Sequence, residues 1–176
     1  MLGAGRLMAV DVFAPRLAAA RALGADVLLD AAATTADQRL TAVLDATDGY
    51  GADVVVHCTG HAATFPEALA LVRAGGTVIE PGTFVDMGDV GVNPSRDICT
   101  KGVTVIGVGG ETLPQYAPVL RMLDRHAERL RMLVSHRVGL DDVGAALELA
   151  QSPESLKVLV TPGLGHSPPG PKGDVP

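Results

Sequence analysis

Residues 7–12 read Leu7-Met8-Ala9-Val10-Asp11-Val12, an apolar run with a single carboxylate near its end. Such a run predicts a short buried strand. Pro15 suits the first position of a helix, and an Ala-rich segment follows from Arg16 to Leu23, where Gly24 ends it. The stretch therefore predicts a strand, a turn and a helix, with Asp11 at the carboxyl end of the strand.

The same alternation of apolar runs and helical patterns continues along the chain and is typical of β-α-β units. Further strands are predicted over 26–29, 53–58, 77–79, 103–108, 134–138 and 156–160, and further helices over 36–46, 64–73, 113–130 and 141–150. A longer connection covers 83–102. Residues 163–176 hold four prolines and four glycines and are predicted to be a disordered tail. We therefore predict an α/β fold.

Composition favours one soluble α/β domain, or one domain with part of another. Of the 176 residues, 47% are hydrophobic and 19% are charged, and the Val-rich runs indicate strands covered on both faces. The formal net charge of −6 and the lack of a Lys/Arg cluster argue against nucleic acid as a partner. No apolar run reaches about 18 residues, so no membrane span is expected. Two cysteines without a CxxC spacing favour a cytoplasmic protein.

Gly3-Ala4-Gly5-Arg6-Leu7-Met8 nearly matches GxGxxG, the glycine-rich loop of dinucleotide-binding proteins. The third glycine is absent, and the stretch precedes a strand. A phosphate-binding loop instead follows a strand and opens a helix, because the helix amino terminus must face the pyrophosphate. We therefore interpret this stretch as a helix end that turns into a strand.

Asp11 is a better candidate for a dinucleotide site. In Rossmann folds, an acidic residue at the end of the second strand accepts hydrogen bonds from the hydroxyls of the adenosine ribose. Its negative charge also repels a 2′-phosphate, which favours NAD over NADP. The alternative is a solvated aspartate at the end of a strand.

Several segments, in this order and at this spacing, resemble the medium-chain zinc-type alcohol and polyol dehydrogenases. They include residues 3–12, 15–17 and 22–26, the strand and turn Gly51-Ala52-Asp53-Val54-Val55-Val56-His57-Cys58-Thr59-Gly60, the passage 71–78, and three stretches at 134–137, 145–146 and 156–160. The resemblance implies a Rossmann-type doubly wound parallel sheet. It also implies an NAD-dependent oxidoreductase that transfers hydride between a small alcohol and nicotinamide, and a homo-oligomer.

The resemblance further implies which residues contact NAD, grouped by the part of the cofactor they approach. They are Asp11 and Arg16 at the adenosine ribose, Thr59 and Gly60 after one strand, Pro81 and Gly82 after the next, Gly107 and Val108 near the nicotinamide carboxamide, and Lys157 toward the pyrophosphate. A small turn such as Thr59-Gly60 permits close approach of the cofactor. Lys157 has an equal alternative as an exposed lysine near the start of a strand.

By the same resemblance, residues 1–107 form part of the dinucleotide-binding domain, and residues 108–162 return to pack on the catalytic domain. The family's first Rossmann strand, glycine-rich loop and catalytic domain have no counterpart in the sequence. Strand 1 lies at the centre of the 3-2-1-4-5-6 order, so its neighbours would face a gap of roughly 9–10 Å. We therefore expect a C-terminal fragment that is inactive alone. A misassigned start and one half of a split enzyme are the other possibilities.

No metal site and no catalytic residue are predicted within the chain. His57, Cys58, His61 and Cys99 do not form a recognisable zinc pattern, and Cys58 is interpreted as a small core residue. Rival hypotheses are a non-catalytic NAD-binding or interaction module, a different Rossmann enzyme such as a methyltransferase, and an inert gene fragment.

Overall fold

The computed structural model describes residues 3–83, 85–110 and 112–163, which form two compact units. One unit combines residues 3–33 with residues 113–163, and the other covers residues 34–112. The tail predicted over 163–176 lies outside the described residues from 164 onward. The predicted domain division at residue 107 stays a prediction about the whole protein.

The first unit begins with a β-α-β arrangement of β1 (Met8–Asp11), α1 (Ala14–Ala22) and β2 (Val27–Asp30). The strands pair in parallel and place Asp11 opposite Asp30. Pro15 lies in the first turn of α1, and Gly24 follows the helix with a φ of 101°, a left-handed conformation that favours glycine. Asp11 therefore ends β1 as predicted.

The second unit contains α2 (Ala36–Ala46), β3 (Ala52–Val56), α3 (Phe65–Leu71), β4 (Val72–Glu80) and β5 (Thr104–Gly107). The three strands form a parallel sheet in the order β3-β4-β5. Its core consists of Ala68, Leu69, Val72, Val78 and Val103. The core lies on the α3 side of the sheet, and the helix is thereby held against the strands.

The first unit is completed by α4 (Leu113–Arg125), α5 (Ala127–Leu130), β6 (Val134–Val138), α6 (Val143–Ala150) and β7 (Lys157–Val160). β6 and β7 form a parallel pair of their own. The helix predicted over 113–130 is divided at His126. No helix within the described ranges is long and apolar enough to cross a membrane.

The structure ends α3 and starts β4 earlier than the predicted boundaries at Arg73 and Thr77. The ammonium group of Lys101 donates hydrogen bonds to the carbonyl oxygens of Leu69 (2.7 Å) and Ala70 (3.2 Å). A cation at the carboxyl end of a helix satisfies carbonyls that have no partner within the helix. Lys101, 30 positions beyond the last residue of α3, thus caps the carboxyl end of this helix.

The prediction of strands covered on both faces is wrong for β3. Val55 packs against the core, whereas Val54 and Val56, on the opposite face, are 52% and 54% exposed. Alternate residues of a strand point to opposite faces, and α3 packs on the face that carries Val55. The described residues of this unit place no helix over the other face.

Within the described residues, β1 and β3 belong to separate sheets rather than to one continuous sheet. Neighbouring strands must lie about 4.8 Å apart to form a ladder, and no described strand pairs with both β1 and β3. The predicted α/β class and the parallel pairing of the strands are confirmed.

Candidate functional site

Asp11 and Arg16 come together at the carboxyl end of β1. One carboxylate oxygen of Asp11 accepts a hydrogen bond from the N–H of Phe13 at 2.9 Å, and the other lies 4.0 Å from Arg16 Nη1. The Arg16 guanidinium also lies 4.8 Å from the centroid of the Phe13 ring, a cation–π contact. The turn thus holds one partly exposed carboxylate beside one partly exposed cation.

The turns after β3 and β4 pack backbone against backbone. The N–H of His57 donates to the carbonyl of Ile79 at 2.8 Å and extends the strand pairing beyond β3. A Cβ atom added to Gly82 would lie 2.6 Å from the carbonyl oxygen of His57 and 2.7 Å from the nitrogen of Thr59. Only glycine fits at residue 82 without moving the neighbouring turn.

His57 lies beneath these turns and contacts both of them. Its side chain is almost completely buried, and Nδ1 contacts a carboxylate oxygen of Glu80. Nε2 shares hydrogen bonds with the hydroxyls of Thr64 at 2.7 Å and Thr59 at 3.0 Å. The imidazole therefore connects the end of β4 to the turn after β3 and to the residue before α3.

Glu80 accepts hydrogen bonds from the turn that follows it. Its Oε1 receives the N–H of Gly82 at 3.1 Å, and the N–H and hydroxyl of Thr83 at 2.9 and 2.8 Å. Burial alone would raise the pKa of this carboxyl, but the hydrogen bonds from Thr83 and the proximity of His57 outweigh burial and lower the pKa below its ordinary value. Glu80 is therefore a carboxylate at neutral pH.

Cys58 does not lie in the core, contrary to the prediction. The residue is exposed, because its position in the chain alternates with the buried His57. Partial burial of the thiol and the negative charge of Glu80 raise the pKa of Cys58, so the thiol is protonated at neutral pH.

Among the described residues, no group of three His, Cys, Asp or Glu side chains is placed to hold a metal ion. The two cysteines are both exposed and unpaired as a disulfide. The residues present in these ranges therefore do not fit a catalytic zinc ion, which needs at least three protein ligands.

The remaining predicted site residues lie at three places. Gly60 and Pro81 belong to the two packed turns. Gly107 ends β5, and the N–H of Val108 donates to the carbonyl of Glu80 at 3.1 Å. Lys157 is exposed at the start of β7, in a different sheet from Asp11. The structure thus brings the predicted residues after β3, β4 and β5 together within one unit.

The contact between His57 and Glu80 is not predicted by the sequence pattern. The pattern brings His57 to attention only as a possible zinc ligand, and it does not single out Glu80. The available signal is a carboxylate at the end of an apolar strand and a histidine directly after three valines. Polar residues at such positions are buried only when they find partners.

Comparison with known proteins identifies the family. Residues 1–125 match the family described as zinc-binding dehydrogenase. The L-threonine 3-dehydrogenase of Symbiobacterium thermophilum is 34% identical over 169 residues, which cover 93% of this chain and 46% of that protein. The sorbitol dehydrogenase of Halalkalibacterium halodurans is 29% identical, over 84% of this chain and 41% of that protein.

A solved structure agrees with this result. The alcohol dehydrogenase from Thermotoga maritima matches with a TM-score of 0.87 and 30% identity, over 92% of this chain and 44% of that chain. The chain thus spans less than half the length of the relatives it matches. Since the family match covers well over half of its residues, this chain belongs to the zinc-binding dehydrogenases, a family of oxidoreductases.

Proposed function

We propose that this chain supplies the dinucleotide-binding part of an NAD-dependent oxidoreductase that transfers hydride between a small alcohol and nicotinamide. The carboxylate of Asp11 at the carboxyl end of β1 is the observation that carries the proposal. In parallel α/β folds, ligands bind beyond the carboxyl ends of the strands, and a carboxylate at this place binds ribose hydroxyls. Phe13 orients one oxygen of this carboxylate, and the other has no hydrogen bond within 3.5 Å among the described residues.

The packed turns of the second unit support the same proposal. Pro81 and Gly82 follow β4, and Thr59 and Gly60 follow β3, so small residues and backbone form this edge of the sheet. Backbone that carries no bulky side chain allows a planar cofactor to approach closely. The hydroxyl of Thr59 is engaged with His57 and Thr64, so we expect the cofactor to meet the backbone of this turn.

The pairing of Asp11 with Arg16 favours NAD over NADP. A 2′-phosphate would be repelled by the Asp11 carboxylate. Arg16 would attract it, but the guanidinium already lies against Asp11 and Phe13. Binding a phosphate would therefore require Arg16 to leave two existing contacts, and we expect the repulsion to dominate.

When bound, NAD supplies the hydride acceptor or donor, and this chain binds and orients it. The described residues do not fit a zinc ion, so no step of the reaction is assigned to a metal held by them. The alcohol substrate and a homo-oligomeric state are proposals that concern the whole protein.

A non-catalytic NAD-binding module is the second candidate. It is favoured by the lack of a metal-binding cluster among the described residues. Binding of NAD distinguishes both candidates from an inert fragment, and turnover of an alcohol distinguishes the enzyme from the module. The family match argues against a methyltransferase.

Calorimetric titration of the full chain with NAD, NADP and S-adenosylmethionine tests the proposal. We expect NAD to bind more tightly than NADP and S-adenosylmethionine not to bind. Asp11→Asn should weaken NAD binding about tenfold, the effect of one charged hydrogen bond, and should reduce the preference over NADP. A calorimetric method is needed because the chain has no tryptophan.

Asp30→Asn is the matched control, because Asp30 ends β2 directly opposite Asp11 and also accepts backbone N–H groups, from Ala32 and Ala33. We expect its NAD affinity to equal that of the unsubstituted chain. Equal losses in both variants, or none in Asp11→Asn, would contradict the ribose role. Failure of all three ligands to bind would support the inert fragment.

A further inference from the structure

We propose that His57 and Glu80 are positioning residues of the cofactor site, which hold the turns after β3 and β4 in the arrangement that NAD requires. The inference rests on the proposed NAD-binding function. It concerns two side chains that lie below the turns rather than against the cofactor.

The contacts of Glu80 hold the turn after β4. A single carboxylate oxygen accepts hydrogen bonds from Gly82 and Thr83, at 2.8 to 3.1 Å. Three donors converge on one acceptor, so the path of the backbone from Pro81 to Thr83 depends on that oxygen. The other carboxylate oxygen contacts His57.

The contacts of His57 hold the turn after β3. Its Nε2 meets the hydroxyls of Thr59 and Thr64, and these two hydroxyls lie 2.6 Å apart. The Thr64 hydroxyl also donates to the carbonyl of His61 at 2.7 Å. The residues from Thr59 to Thr64 are therefore fixed at three points, each linked to the imidazole.

The two turns have little freedom to move independently. Gly82 lies so close to the backbone of His57 and Thr59 that a methyl group would not fit between them. The ring of Phe65 also packs edge-on against the imidazole, with the centroids 5.9 Å apart. A change in the contact between His57 and Glu80 must therefore shift one turn against the other.

The charge of Glu80 is important for this arrangement. The carboxylate is largely shielded from water and lies beside a cavity of about 230 Å³ whose walls include Phe65 and Met87. Its ionised form accepts hydrogen bonds from the turn, and a charged acceptor binds donors roughly twice as strongly as a neutral one. An amide at this position retains the shape but loses the charge.

Preorganised turns reduce the ordering cost of binding, so loosening them weakens affinity without removing a contact to the cofactor. We therefore expect Glu80→Gln and His57→Gln each to weaken NAD binding about fivefold, equivalent to one ordinary hydrogen bond. The double variant, in which two amides can pair, should bind NAD better than the sum of the single losses predicts.

The test is calorimetric NAD titration of the full chain, at a temperature where circular dichroism shows each variant to be folded. Glu67→Gln is the matched control. Glu67 is a second partly buried carboxylate of the same unit, and its oxygens pair with Arg39 at 2.6 and 2.7 Å. We expect this control to lose stability and to keep its NAD affinity.

Failure of the positioning role and failure of the proposed NAD-binding function give different results in this titration. NAD affinity unchanged in both single variants overturns the positioning role, as does an equal loss in Glu67→Gln. No binding by the unsubstituted chain overturns the proposed function and the inference together.

If Glu80→Gln does not fold, Thr83→Val is the alternative variant, because it removes only a hydroxyl donor to Glu80. An affinity loss of about twofold supports the inference, and an unchanged affinity overturns it.

Discussion

The two ends of the β3–β4 pair each carry a contact between an acidic and a basic side chain, but they differ in burial. At the amino end, Asp53 pairs with Arg73 at 2.6 Å, and these side chains are 80% and 39% exposed. At the carboxyl end, His57 contacts Glu80, and these side chains are 4% and 14% exposed. The two ends of this strand pair thus carry one solvent-exposed pair of side chains and one largely buried pair.

Burial decides what each pair contributes. An exposed ion pair contributes about 0–1 kcal/mol, because water and salt screen it and two side chains must be ordered. A buried polar group left without its partner costs about 1–3 kcal/mol, since water cannot replace that partner. The amino end therefore tolerates change, whereas the carboxyl end, where the cofactor is proposed to bind, depends on each contact.

The largest expected effect is that of Gly82→Ala, which breaks the packing of the carboxyl end. The new methyl group would overlap the backbone of His57 and Thr59, and overpacking of this kind costs about 3 kcal/mol. Urea unfolding followed by circular dichroism measures the change. Gly91→Ala is the control, because a Cβ at Gly91 meets nothing within 4 Å. Equal stability of the two variants would contradict the close packing.

A smaller effect is expected for Glu80→Gln, and its dependence on pH sharpens the comparison. The pKa of Glu80 is lowered in the folded protein, so the carboxylate contributes stability above its ordinary pKa of 4.5 and loses it as the pH falls through the folded value. We expect a loss of about 2 kcal/mol at pH 7 relative to the unsubstituted chain. The difference should shrink below pH 4.5. Urea unfolding at several pH values measures the difference in stability between the variant and the unsubstituted chain. A difference that grows as the pH falls would contradict a stabilising role of the Glu80 carboxylate.

The smallest effect is expected for Asp53→Asn at the amino end. Removing this exposed carboxylate should cost less than about 0.5 kcal/mol, and 0.5 M salt should abolish the difference because it screens exposed charges. Urea unfolding with and without salt measures both. A loss as large as that of Glu80→Gln would show that burial does not distinguish the two ends.

Much of the local structure could be predicted from the sequence. Pro15 and Gly24 bound α1 because backbone conformation at proline and glycine is set locally. Val54-Val55-Val56 forms a strand because β-branched residues favour extended backbone. The cap at the end of α3 could not be predicted, since Lys101 lies 30 positions beyond the helix and its ammonium group reaches the helix only in the folded chain.

The candidate site also contains residues that the sequence predicts and residues that it does not. The sequence predicts Asp11 as a site residue because it lies near the end of an apolar run, and Arg16 follows in the next helical segment. The link between His57 and Glu80 joins residues 23 positions apart through side chains, and no local pattern encodes it. Its burial in turn depends on α3 and Phe65.

The sequence by itself determined the order of strands and helices, the family, and the carboxylate at the end of β1, because these follow from short-range backbone preferences and from residue spacing. Only the tertiary structure decided which polar side chains are buried together, which face of β3 is covered, and why residue 82 must be glycine. These depend on distances between segments remote in the chain, and those distances exist only after the strands have paired.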